Sequence, residues 1–141
     1  MRTQLHRLRA DEGFTLIELL VVTIIIGILA SIAMPVLLKH RQTSYDAAVK
    51  SDLHNAATAE EAYLADNGAY SAQSPVAGEL ATQNFRPSEG SDYQGGTATI
   101  TTKLSLNGGS YCLSARSASG ADWVWDSSHG GLQAPNTACS F

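Results

Sequence analysis

Residues 14–38 read FTLIELLVVTIIIGILASIAMPVLL, an apolar run of 25 residues in which Glu18 is the only charge. As a helix rising about 1.5 Å per residue the run is roughly 37 Å long, enough to cross a hydrocarbon core of about 30 Å with some tilt. In length and composition it reads as a membrane span. A secretory signal pairs a shorter apolar region with a small-x-small exit, and neither is present here. Arg2, Arg7 and Arg9 on one side are nearly matched by Lys39, Arg41 and Lys50 on the other, so charge alone does not orient the span.

A plain anchor does not account for Glu18. A carboxylate in the apolar part of a span costs on the order of 2.5 to 3.5 kcal/mol on insertion scales, so a partner or an interfacial position has to offset it. Before the run stands Gly13, and the text G-F-T-L-I-E then opens an uninterrupted aliphatic stretch.

These residues closely resemble the type IV prepilin N-terminus. The resemblance implies that residues 1–13 are a short cytoplasmic leader, that a prepilin peptidase cuts between Gly13 and Phe14, and that the new N-terminal Phe14 is N-methylated. It also implies that Glu18 neutralises the amine of a neighbouring subunit during assembly. Opposite charges that pair in an apolar setting offset much of their desolvation cost and select a register. Gly27 and Pro35 fall where pilin helices commonly carry a glycine and a helix-distorting proline. Pro35 has no N–H to give the Ser31 carbonyl, so a bend or local melting is expected there.

Working outward, the apolar spacing changes to Tyr45, Val49, Leu53, Ala56, Ala57, Tyr63 and Leu64, one face of an amphipathic helix. Asp46, Lys50, Asp52, Glu60 and Glu61 fill the other positions, and Asp66-Asn67-Gly68 is the expected stop. One continuous helix of about 50 residues follows from adding the two stretches. The stretch AEEAYLADNGAYS resembles pilin helix ends, which carries the likeness to about residue 71.

Residues 71–90 have the composition of an irregular connection. Three β-prone runs follow, residues 97–106, 110–118 and 122–126, separated by Asn107-Gly108-Gly109 and Ser119-Gly120. Alternation places Ile100, Thr102, Leu104 and Leu106 on one side, then Tyr111, Leu113 and Ala115, then Trp123 and Trp125. A small antiparallel meander packed on the helix is expected, with the tryptophans against the helix. The fold class is α+β: a leader at 1–13, a membrane or filament-core helix at 14–38, and a soluble head at 39–141.

Cys112 and Cys139 are able to pair in an oxidising compartment, and as free thiols both would be vulnerable outside the cell. A bridge would close a loop of about 28 residues, contributing roughly 3.5 kcal/mol on the chain-entropy model. By resemblance, residues 113–138 would form the disulfide-bounded segment that pilins expose on the filament.

No catalytic or metal-ligating set is expected. His6, His40, His54 and His129 are scattered, without helical metal-site spacing. Asp126, Ser128 and His129 lie in a glycine-rich turn lacking a nucleophile elbow. The glycine pairs at 95–96, 108–109 and 130–131 precede no Lys-Ser or Lys-Thr and open no helix, so they are turns. Aromatic residues are too sparse for charge transport.

The formal net charge of −4 becomes about −5 once three arginines and two acids leave with residues 1–13, which argues against a general nucleic-acid surface. No cofactor is expected. The resemblance implies a structural subunit of a type IV pilus, a homo-oligomeric helical filament reached from the membrane through a prepilin peptidase and an ATPase-driven assembly platform. Such filaments serve adhesion, twitching or DNA uptake. A minor pilin or type II secretion pseudopilin is the alternative, and a monomeric membrane-anchored binding domain a weaker one.

Overall fold

The structure, a computed structural model, describes residues 13–73 and 79–140. Residues 1–12, with Arg2, His6, Arg7 and Arg9, lie outside the described residues, as do residues 74–78 of the irregular connection. The chain divides between Leu38 and Lys39 into two compact units.

One helix, α1 (Leu16–Asn67), accounts for the apolar run and the amphipathic stretch after it. It is helical through Gly27 and Pro35. The missing N–H of Pro35 deprives the Ser31 carbonyl of that partner, and of the two outcomes expected there, a bend or local melting, the turn is not melted. In the first unit every residue of 14–38 is exposed, including large side chains such as Ile17 (71%) and Leu29 (62%). Among the described residues of the unit nothing covers them.

In the second unit α1 ends where the glycine permits it to. Gly68 takes a positive φ of 75°, and its N–H reaches the Leu64 carbonyl at 2.8 Å. This closes the last turn in a conformation that costs glycine little. A four-stranded antiparallel sheet follows in sequential order, β1 (Ile100–Leu104), β2 (Tyr111–Arg116), β3 (Asp122–Asp126) and β4 (Gly131–Leu132). The pairs Ile100 with Ala115 and Ala115 with Trp123 fix the register. Val49, Leu53, Ala56 and Ala57 of α1 form one core with Leu80, Phe85, Tyr93, Ile100, Tyr111, Leu113 and Trp123.

The tryptophans meet the helix as the alternation requires. Lys50 Nζ lies 3.7 Å from the Trp123 ring centroid, and the His54 ring lies 5.2 Å from that of Trp125. The opposite face of β2 and β3 is also covered. After β4 the chain follows β3, with Gln133 N–H on the Val124 carbonyl and Asn136 N–H on that of Asp122. It turns at Asn136 (φ 61°) and comes back to Cys112, leaving Cys112, Val124 and Asp126 buried.

Four expectations are corrected. The first two strands are shorter than their β-prone runs, whereas β3 matches its run at 122–126: residues 97–99 stay outside β1, and Ser117 makes only an isolated bridge to Tyr93. Leu106 does not face the core; it sits in the β1–β2 turn, fully exposed. A fourth strand, two residues long, extends the sheet. Asp52 and Glu60, placed among the solvent-facing positions of the helix, are both buried.

Candidate functional site

The first turn of α1 is built from Thr15 and Glu18. The Glu18 N–H donates to Thr15 Oγ1 at 3.2 Å, and that hydroxyl donates on to Glu18 Oε2 at 3.4 Å. Thr15 is thus the N-cap and Glu18 the third helical residue, the spacing of a capping box. The spelling T-L-I-E carries this signal, which the resemblance alone did not bring out. An acid in the first turn also complements the positive end of the helix dipole, a gain of about 0.3 to 1 kcal/mol when exposed. Glu18 therefore has a local role, but the single long contact to Thr15 leaves most of its carboxylate open. Gly13 and Phe14 precede this turn, and Phe14 is 82% exposed.

Behind Glu18 the exposed apolar side chains continue without a break to Leu38. A surface of this extent far exceeds the few hundred Å² that a monomer in water ordinarily presents, and it marks a membrane or protein contact. The helix is long and apolar enough to cross a membrane.

Acids of α1 hold the loops of the second unit. Asp52 accepts from Ser88 N–H at 2.7 Å, Ser88 Oγ at 3.0 Å and Tyr93 Oη at 2.6 Å. Burial and the Asp52 bond both push the Tyr93 phenol up, so it stays a donor. Glu60 accepts from the Ser71 N–H, and Glu61 from Tyr70 and Tyr111. Asp46 accepts from Ser117 and Ser119; burial raises its carboxyl, but those hydroxyls outweigh it and the net shift is downward. Periodicity cannot reveal such roles, because it assigns every charge to solvent.

Cys112 and Cys139 form a disulfide with Cα atoms 6.0 Å apart. Next to it Asp126 accepts from Ser128 Oγ at 2.7 Å, Ser128 N–H at 2.9 Å and Ser140 Oγ at 2.7 Å. Burial alone would raise this carboxyl; the donated hydrogen bonds and His129 overcome it and hold it at about 2. His129 meets Asp126 Oδ2, Ser128 Oγ and Ser140 Oγ with one and the same atom, Nδ1. A hydrolytic relay needs the carboxylate on one ring nitrogen and the nucleophile on the other. The cluster is a latch on the C-terminal segment.

Among the described residues no group of three His, Cys, Asp or Glu is disposed to hold a metal. His40 and His54 are exposed and remote from such a set.

The model of the prokaryotic N-terminal methylation motif matches residues 8–34. Over nearly the whole chain the sequence is similar to the type IV wide pilus major component of Thermus thermophilus. The two are 32% identical over 132 residues, 93% of this chain and 92% of the relative. The chain belongs to the type IV pilin family. The likeness of this pilin thus runs well past residue 71 and through most of the second unit. The type IV major pilin protein of Myxococcus xanthus is 37% identical over 83 residues, 59% of this chain and 35% of that protein. The type II secretion system core protein G of Pseudomonas aeruginosa is 39% identical over 62 residues, 44% of each chain.

Proposed function

We propose that this pilin is a structural subunit of a type IV pilus, held in a membrane by residues 14–38 and transferred from there into a filament on the cell surface. The observation that carries the reading is the exposed apolar helix opening on Gly13-Phe14 with Glu18 in its first turn. Cleavage after Gly13 would create a positive amine at Phe14, which is then N-methylated, one helical turn from Glu18. A carboxylate and an amine taken together out of water need one another, because either alone would carry an uncompensated desolvation cost. A second subunit supplies the partner, and the pairing fixes the axial register. Gly27 and Pro35 adapt the helix to its neighbours, since small or kink-tolerant positions let apolar helices approach.

The pilin is a building unit rather than a catalyst, and a prepilin peptidase and an assembly platform are its partners before the filament. A second reading, a type II secretion pseudopilin, is favoured by the likeness to the core protein G of several bacteria. That likeness is shorter than the one to the Thermus pilus component.

Mass spectrometry of the mature chain should give an N-methylated Phe14 as first residue; a chain still starting at Met1, or cut elsewhere, would sink the reading. Electron microscopy of sheared surface fibres then separates a long surface pilus from a short periplasmic one. Glu18→Gln keeps an acceptor for Thr15 and loses the charge. We expect it, and Glu18→Ala likewise, to lower incorporation at least tenfold. Normal incorporation of both would remove Glu18 from assembly.

A further inference from the structure

The part of α1 in the second unit carries exposed charges of opposite sign at its two ends. Lys39, His40 and Arg41 stand at its start, all exposed. Glu61 and Asp66 stand in the last two turns, also exposed. Among the described residues the ion pairs are Arg116 with Asp122 and His129 with Asp126, and neither end of the helix segment takes part in one. The acidic end receives neutral donors only, from Tyr70 and Tyr111 on Glu61 and from Gln83 on Asp66 at 3.0 Å.

This arrangement opposes the helix dipole. The end of α1 gathers the negative partial charge of unsatisfied carbonyls, which favours cations, and no basic residue lies in its last turn. An isolated chain bears that mismatch; an external cation relieves it. The two ends cannot serve one another. Along the continuous helix Lys39 lies about 33 Å from Glu61 and about 40 Å from Asp66.

We propose that the Lys39–Arg41 end of one subunit pairs with the Glu61–Asp66 end of a second copy displaced along the fibre axis by about the length of the head. The occupant is a second copy because the patch and its complement lie on one chain with a fixed separation. Such a contact is heterologous, patch to a different patch. It repeats without closing and builds a polar fibre, whereas like patches facing each other would close a dimer. The proposal rests on the filament reading and deepens it, adding head-to-head pairing to the contact made by the apolar helix.

Zero-length carbodiimide cross-linking of fibres, followed by peptide mass spectrometry, tests it directly. A Lys39–Glu61 or Lys39–Asp66 cross-link has to be intermolecular, given the separation along the helix, and should be present in fibres and absent from the mature chain dispersed in detergent. In cells, the double variant Lys39→Glu/Arg41→Glu should lower fibre yield at least tenfold. So should Glu61→Lys/Asp66→Lys, and combining all four should restore at least half of it. Lys39 and Arg41 are exposed, so the first variant tests assembly without disturbing the core.

Wild-type fibres in which Lys39 cross-links elsewhere, or a first variant that assembles normally, overturn the pairing and leave the filament reading intact. A first variant that loses only its affinity for vesicles containing phosphatidylglycerol, with normal fibre yield, assigns the cations to lipid headgroups and likewise overturns it. A wild-type chain that makes no fibre removes the filament reading itself.

Discussion

Asp126 is the side chain whose charge the head depends on most visibly at low pH. Its folded pKa of about 2 lies below the ordinary carboxylate value of about 3.9. A depressed folded value means that its stabilisation is full above about pH 4 and is lost as pH falls through about 2, a contribution of about 2 kcal/mol. Denaturant midpoints of the mature chain in detergent micelles should therefore drop between pH 4 and 2. Asp126→Asn should begin lower at pH 7 and lose less over that interval; an identical acid slope in the variant would refute the assignment. Asp52 is an anchor for the loop around Ser88 and Tyr93. Asp52→Ala strands the Tyr93 hydroxyl and the Ser88 N–H and should cost roughly 2 to 3 kcal/mol. Hydrogen exchange at Ser88 should rise with it, and unchanged protection there would show that the bond carries little. Neither acid was legible as a structural residue in the sequence. A charge on an amphipathic pattern looks the same whether it faces water or a loop folded back over it.

At the scale of elements, the helix and the strand order could be read in advance, and the reasons differ. α1 announced itself through an aliphatic run continued by one apolar face, with Gly68 as a stop. The strands were legible through alternation, but their ends were not, because hydrogen bonding and not β-propensity decides where a ladder stops. Leu106 continues the alternation of Ile100, Thr102 and Leu104 yet belongs to the turn. β4 is too short to have a period at all, and its pairing with Trp125 is a tertiary fact. The disulfide acts at this scale too, tying the C-terminal segment to β2. Replacing both cysteines by serine should lower stability by roughly 3 kcal/mol. A shift of less than about 1 kcal/mol in the urea midpoint would mean that the bonds of Asn136 and Ser140 hold the segment unaided.

At the scale of the whole molecule, the core of the described residues lies within residues 39–141, while residues 14–38 are exposed throughout and mostly apolar. A chain starting at Lys39 should stay monomeric in detergent-free buffer and keep the disulfide and the sheet. The chain starting at Phe14 should sediment under the same conditions, and sedimentation velocity decides the point. A truncated head that fails to fold would show that the first unit supports the second. Of the candidate site, Gly13, Phe14 and Glu18 could be named from the sequence because they form one contiguous word. The charge asymmetry of the head could not, since it exists only once a single helix fixes the distance between its ends.

The bare apolar helix has a consequence for what must surround the subunit. Seventeen large apolar side chains lie uncovered between Phe14 and Leu38. Leaving them in water instead of burying them costs on the order of 25 kcal/mol, more than a typical domain's whole folding stability. Such a chain has no favourable monomeric state in water: its helix has to be covered by a bilayer or by other copies. On the proposed filament reading the same side chains meet lipid first and protein afterwards, so one set of shapes has to suit two solvents in turn.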